Sequence, residues 1–281
     1  MKALIFGCGG AGQNHCNQLK GRLDYDVYDI DSQKAEKTAK QHGVKVGNPE
    51  DKYDIVVICV PAVYHYESVM KFIDKSIVCV EKPMTLKPVD AQYLLKYDNL
   101  YVLESMMYSE PVLKAKEMMN SLGGPLLWRA NYCTKYRPQS WIKDIEIGGQ
   151  TFLEGGVHIV SVANFLFGQG ICHTGFFIND DRTNGVINIK YINGDILNLS
   201  ICWGVESCLS LKKDVIPNDN YLIGNNDYMH FAPFDDHKRM WDYVLDDING
   251  VSKTYFTNQM AADAVSDVWK CYNFLDKYKG D

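Results

Sequence analysis

The chain has 281 residues, enough for one large or two ordinary domains with a sizeable core. Hydrophobic residues make up 46% and charged residues 23%, and the net charge of −6 comes from acids and bases mixed along the chain, which argues against a nucleic-acid binder with its basic face. No apolar run approaches the roughly 18 residues of a membrane span, and the N-terminus lacks the layout of a signal peptide; the nine cysteines, an odd number with no CxxC pair, read as reduced thiols in a cytoplasmic protein with no metal site.

The first hundred residues alternate strand and helix signals. "KALIF" (2–6) reads as a strand and Ala11 to Leu19 as a helix. "DVYDI" (26–30) is a second strand, Ser32 to His42 a polar-faced helix, and "VKV" (44–46) a weak third strand. "DIVVICV" (54–60) is the unbroken apolar run of a strand buried on both faces. Tyr64 to Asp74 is helical, "SIVCV" (76–80) a strand, Val89 to Lys96 a short helix and "LYVLE" (100–104) a sixth strand. Strands spaced by helices predict an α/β Rossmann-type domain with a doubly wound parallel sheet.

After Tyr108 the texture changes. A Met-rich helix spans Glu110 to Leu122, and strands then come close together at 126–136, 172–178, 185–192, 195–204 and 206–213. "INGD" (192–195) is a hairpin turn, because Asn-Gly accepts positive φ. Residues 214–235 read as loop with one short strand, and helices follow at His237 to Ile248 and Asn258 to Tyr278. The expected organisation is a dinucleotide-binding domain over 1–108 and an α+β domain over 109–281 with an open, mainly antiparallel sheet.

Three stretches carry chemistry. "GCGGAG" is Gly7-x-Gly9-x-x-Gly12, placed directly after the first strand and opening the first helix. Gly7 permits the tight turn, Gly9 lets a pyrophosphate approach the backbone, and Gly12 lets helix pack on strand. Gly10 and Ala11 begin the helix, whose free N–H groups suit phosphate. Asp29 ends the second strand at the distance expected of a ribose-binding acid. Asp31 adds negative charge and no Arg follows directly, so NAD is favoured over NADP.

"EKP" (81–83) leaves the strand at the carboxyl edge of the sheet, where ligands lie in open α/β folds. Proline restricts Lys82, which is thereby aimed at the nicotinamide end of a bound cofactor or serves only as a surface charge. The third stretch is "GGQTFLEGGVHIVSVANFLFG" (148–168), an apolar helix stopped by Gly168. Glu154 and His158 share a face if the helix begins by Glu154. Gly155 and Gly156 cost about 1 kcal/mol each there, which implies a close backbone approach.

"GCGGAGQNH" (7–15), "EKP" (81–83) and "GG…LEGGVH" (148–158) resemble the Gfo/Idh/MocA oxidoreductases, the group of glucose–fructose oxidoreductase and inositol dehydrogenase. "ESMMYSEP" (104–111) is similar to the segment linking the domains in the dihydrodiol dehydrogenase-like branch, and "PAVYH" (61–65) to the loop that sets a proline and a histidine beside the nicotinamide ribose. The resemblance implies Lys82 and His158 as catalytic residues, with Glu154 where many members have Asp. It also implies Pro61, His65 and Glu81 beside the cofactor and a cis Lys82–Pro83 bond. Ser161 and Ser109 depart from the family's frequent Asp and Arg.

The implied reaction is hydride transfer between nicotinamide and a carbinol carbon of a sugar, polyol or sugar nucleotide. His158 takes the hydroxyl proton, Lys82 stabilises the alkoxide, and Glu154 orients substrate or His158. Tyr132, Tyr136, Arg137 and Trp141 are candidate substrate contacts, or an aromatic surface loop. The alternatives are a redox-neutral glycosidase that uses NAD transiently and a non-catalytic cofactor-sensing regulator. The resemblance also implies a homodimer or homotetramer built on the second domain's sheet.

Overall fold

The computed structural model describes residues 1–119, 125, 127–134, 144–177, 184–203, 220–223, 228–231 and 236–276. Its first layer is a five-stranded parallel sheet of β1 (Lys2–Phe6), β2 (Asp24–Tyr28), β3 (Ile55–Ile58), β4 (Ile77–Glu81) and β5 (Leu100–Leu103), in the order β2-β1-β3-β4-β5. Ile5 pairs with Val57, Val57 with Cys79 and Cys79 with Tyr101, so one register of apolar residues crosses the sheet. Every residue of β3 is buried, as a strand covered on both faces requires.

The helices α1 (Gly10–Leu19), α2 (Ser32–His42), α3 (His65–Phe72) and α4 (Pro88–Leu94) cover the sheet. Asp31 caps α2 by accepting from the N–H groups of Gln33 and Lys34, and Gly43 ends it at φ 70°. The expected strand at 44–46 is instead a single bridge between Val27 and Val46. The segment is too short, and Val46 too exposed, to add a sixth strand. The chain runs outward from β1 to β2 and then in the opposite direction through β3, β4 and β5. The crevice of a doubly wound sheet therefore opens between the ends of β1 and β3.

A short 3-10 turn at Ser105–Tyr108 leads to α5 (Glu110–Met119) and the second sheet. This sheet contains β6 (Leu127–Thr134), β7 (Gly170–Phe177), β8 (Gly185–Tyr191), β9 (Ile196–Trp203), β10 (Asn220–Ile223) and β11 (Tyr228–Phe231), ordered β11-β10-β6-β9-β8-β7. It is antiparallel except for the central β6–β9 pair. The 192–195 turn closes β8 on β9 with Gly194 at φ 93°. Two strands, β10 and β11, replace the loop with one strand expected over 214–235. Each strand is only four residues long and is set among Asn and Asp, too short for a period of 2 to stand out. The strand expected at 206–213 lies outside the described residues.

One face of this sheet is apolar. Ile187, Ile189 and Tyr191 of β8 and Leu197, Leu199 and Ile201 of β9 are buried beneath α6 (Val157–Phe167) and a long helix described below. The other face carries a polar ladder, in which Asn198 donates to Asn188 (2.6 Å) and Asn188 to Thr174 (3.2 Å).

The last two helices return to the first sheet. α7 (His237–Ile248) packs on α1, with Arg22 paired to Asp242 at 2.8 Å. α8 (Asn258–Asp276) crosses from the second sheet to α4 and β5. Asn258 donates to the Leu100 carbonyl and Trp269 to that of Leu86, both across the two layers. Cys8, Cys16, Cys59, Cys79, Cys172, Cys202 and Cys271 are free thiols. Among the described residues no helix is long and apolar enough to cross a membrane.

Candidate active site

A cleft of about 820 Å³ opens at the carboxyl edge of the parallel sheet, running from Gly9 and Asp29 to Pro61, Lys82 and Glu154. The glycine turn forms its floor. Gly7 adopts φ 111°, and a Cβ there would lie 2.6 Å from the Cys59 carbonyl oxygen. A Cβ on Gly12 would collide with the Gly7 carbonyl. These two glycines are thus required by packing. Gly9 and Gly10 differ, because a Cβ on either would meet nothing within 4 Å. They face open space at the start of α1, where Gly9 provides no side-chain cap. Free N–H groups over an open cradle suit a pyrophosphate.

Asp29 is pre-oriented at one end. Its Oδ2 accepts from the Cys8 N–H (2.8 Å) and its Oδ1 from the Asp31 N–H (2.9 Å). Both oxygens keep lone pairs for ribose hydroxyls. Beside it Ile30 is 95% exposed and lines the cleft, an apolar surface fit for an adenine ring. The residues present therefore fit a dinucleotide.

The "EKP" turn follows β4, and its Lys82–Pro83 bond is cis, as the resemblance implied. His65 clamps the turn to the sheet. Its Nδ1 faces the Pro83 carbonyl (2.7 Å) and its Nε2 the Val60 carbonyl (2.8 Å), with the ring 1% exposed. Burial lowers its pKa, although the two carbonyls favour the protonated ring. His65 and Pro61 line the cleft together.

Glu81 is held by a chain of donors that begins in the second half of the molecule. Trp241 of α7 donates from Nε1 to His15 Nδ1 (3.0 Å). Nδ1 is therefore an acceptor, and the ring proton is on Nε2, which donates to Glu81 Oε1 (2.7 Å). The Lys82 N–H donates to Glu81 Oε2 (3.2 Å). Burial by itself pushes the Glu81 carboxyl up, but the His15 bond and the Lys82 charge outweigh it and lower it to about 2.

Lys82 reaches the third motif. Its Nζ donates to the Glu154 carbonyl oxygen (2.6 Å) and lies 3.5 Å from Glu154 Oε1. Glu154 belongs to a π-helical turn, Phe152–Gly156, that runs directly into α6. The expected common face of Glu154 and His158 arises here through one wide turn, a type frequent at functional sites. The two glycines have the anticipated reason. A Cβ on Gly155 would strike the Tyr132 ring, and one on Gly156 would lie 2.6 Å from Ile201 Cδ1. The wide turn presses against the second sheet.

His158 lies one turn after Glu154. Its Nδ1 is 2.5 Å from Glu104 Oε1, and Glu104 is 1% exposed. A buried carboxylate holds Nδ1–H, which leaves the Nε2 lone pair as the base. Glu104 ends "LYVLE" as the chain leaves β5, accepts from the Met106 N–H and starts the 3-10 turn. Sequence reasoning missed it, since an acid at a strand exit looks like any polar exit. The one signal was its place at the start of the "ESMMYSEP" segment. Among the described residues no group of three His, Cys, Asp or Glu could hold a metal ion.

The structure thus brings Lys82 onto the helical turn that carries Glu154, immediately before His158. Tyr132 is 9% exposed and supports Gly155 from the core. Tyr136, Arg137 and Trp141 lie outside the described residues.

Residues 1–99 match the model of an oxidoreductase family with an NAD-binding Rossmann fold. No curated protein sequence matches the chain. Among solved structures, the WlbA dehydrogenase from Bordetella pertussis, in complex with NADH and UDP-GlcNAcA, superposes with a TM-score of 0.82 at 15% identity, covering 99% of this chain and 97% of that one. GenD2 from gentamicin A biosynthesis, in complex with NAD, gives 0.81 at 17%, covering 98% and 93%. An oxidoreductase from Agrobacterium radiobacter, in complex with NAD+, L-tartaric acid and magnesium, gives 0.77 at 14%, covering 98% and 96%. At these identities the likeness is one of fold, and it extends over both domains.

Proposed function

We propose that this chain, whose residues 1–99 match the oxidoreductase family with an NAD-binding Rossmann fold, is a dehydrogenase of the Gfo/Idh/MocA type acting on a carbinol of a sugar, polyol or sugar nucleotide. The observation that carries this is the joining of the "EKP" lysine to the π-turn beside His158. The UDP-GlcNAcA bound to the structurally similar WlbA dehydrogenase supports the sugar-nucleotide end of this class.

Gly9 and Gly10 would hold the pyrophosphate, Asp29 the adenosine ribose, and Pro61 and His65 the nicotinamide end. The bound dinucleotide supplies hydride exchange at its nicotinamide carbon. The chain's residues handle the proton and the charge. His158 takes the hydroxyl proton on Nε2, and Glu104 offsets the positive charge that the ring gains. Lys82 hydrogen-bonds the same hydroxyl oxygen and stabilises it as the proton leaves. Glu154 keeps the Lys82 ammonium oriented, and the buried Tyr132 keeps the Glu154 turn in place.

The experiment is a screen for NADH fluorescence with NAD and a panel of polyols, aldoses, hydroxy acids and sugar nucleotides. NADH formation on one class supports the reading. Sugar release without net NADH contradicts it in favour of redox-neutral glycoside cleavage. Cofactor binding without turnover across the panel contradicts it in favour of a sensor.

A further inference from the structure

One feature of the site exceeds what the proposed reaction needs. Hydride transfer as described uses an ammonium, an imidazole and two orienting carboxylates. It gives no task to Glu81, yet α7 extends from the other half of the molecule to secure that side chain. Trp241 fixes the His15 tautomer, and that tautomer presents N–H to Glu81. The chain keeps His15 a donor and Glu81 an acceptor. Glu81 lines the same cleft as Gly9, Pro61 and Lys82.

The His15 bond and the Lys82 charge hold Glu81 as an anion. The Lys82 ammonium is turned away to the Glu154 carbonyl and carboxylate, so those two side chains form their own pair. His65, buried and lowered in pKa, favours its neutral form. The hydrogen bond from His15 Nε2 orients the Glu81 charge. Glu81 thereby sets a fixed negative charge on the cleft wall between Pro61 and Lys82.

We propose that Glu81 is a positioning residue that sets the redox preference of the cleft: its fixed charge, secured through His15 by Trp241, favours the oxidised dinucleotide, whose nicotinamide ring is a cation, over the reduced one, whose ring is neutral. This rests on the reading that the cleft holds NAD with its nicotinamide toward "EKP". A unit charge acting on a ring cation across several Å, at an effective dielectric constant of about 20, changes relative affinity on the order of tenfold.

The test is titration of the full chain with NAD+ and with NADH, followed by calorimetry and fluorescence, for wild type, Glu81→Gln and Glu81→Asp. Gln keeps an acceptor for His15 and removes the charge, whereas Asp keeps the charge. The expected result is that Glu81→Gln raises the ratio Kd(NAD+)/Kd(NADH) about tenfold, while Glu81→Asp stays near the wild-type ratio. Equal weakening of both forms by Glu81→Gln, or the same ratio change in both variants, overturns the proposal and leaves Glu81 a structural strut. Wild type binding neither form overturns the NAD reading along with it.

Should Glu81→Gln fail to fold, Trp241→Phe carries the test. It removes the donor that fixes His15 and so loosens the hold on Glu81. In Trp241→Phe the ratio Kd(NAD+)/Kd(NADH) should rise severalfold above wild type. A wild-type ratio in a folded Trp241→Phe overturns the proposal.

Discussion

The Lys82 ammonium donates to the main-chain carbonyl of Glu154, 72 positions further along the chain. A regular α-helix would direct that carbonyl at the N–H four residues on, which is His158. The π-turn at Phe152–Gly156 widens the ladder at this point, and the lysine docks on it. One contact thus joins the exit of β4 to the start of α6, and ties Lys82 to the turn that runs into His158.

The glycine motif should divide into two behaviours. Gly7→Ala and Gly12→Ala bring a Cβ against carbonyl oxygens, so both should lower the melting temperature by several degrees. Gly9→Ala meets no atom of the protein and should melt like wild type. It should nevertheless weaken NADH binding about tenfold or more, because its methyl enters the pyrophosphate cradle. Thermal melts and fluorescence titration check both halves. Unchanged NADH affinity in Gly9→Ala contradicts the cradle.

Glu104→Gln tests the carboxylate behind His158. The ring loses the charge that offsets its proton, so kcat should fall on the order of 10²-fold while NADH affinity stays within twofold. Stopped-flow and titration separate these effects. A kcat within twofold of wild type would mean that Glu104 only fills space.

Gly155→Ala drives a methyl into the Tyr132 ring. Overpacking of this kind costs about 1–3 kcal/mol, which for a chain of this size is a drop of roughly 2–10 °C. Tyr132→Leu should restore much of that loss in the double variant, since the two sites share one contact. Additive melting shifts would contradict the packing account.

Glu81 predicts an acid limb in stability. Despite burial its folded pKa is lowered to about 2, against about 4.3 for a free glutamate. A lowered folded value contributes stability that is fully present above the unfolded value and is lost as pH falls toward 2. Between pH 7 and pH 3 wild type should lose about 2 kcal/mol more than Glu81→Gln in urea unfolding. Identical losses would mean that Glu81 is not held as a carboxylate by His15 and Lys82.

Much of this site could be read from the chain because its parts are local. The glycine turn, "EKP" and "LEGGVH" each place their groups within a few residues, and the periodicities around them fix strand, turn and helix. Glu104 could not be found this way. Its meaning depends on an imidazole 54 positions away, and burial at a strand exit leaves no composition signal. The His15–Trp241 bond spans 226 positions and arises only when α7 returns to α1. The π-turn was half legible: two glycines announced close packing, but nothing in them specified a wide turn. The parallel β6–β9 pair was hidden for the same reason as Glu104, because register across distant strands is set by the assembled core.

In the proposed reaction Lys82 acts on the reacting oxygen rather than holding the cofactor in place. The measurement is turnover by Lys82→Met on the best substrate from the panel, beside NADH titration of the same preparation. NADH affinity should stay within about threefold of wild type, while turnover falls by about 10³-fold or more. Near-normal turnover, or loss of NADH binding in parallel with activity, would contradict it.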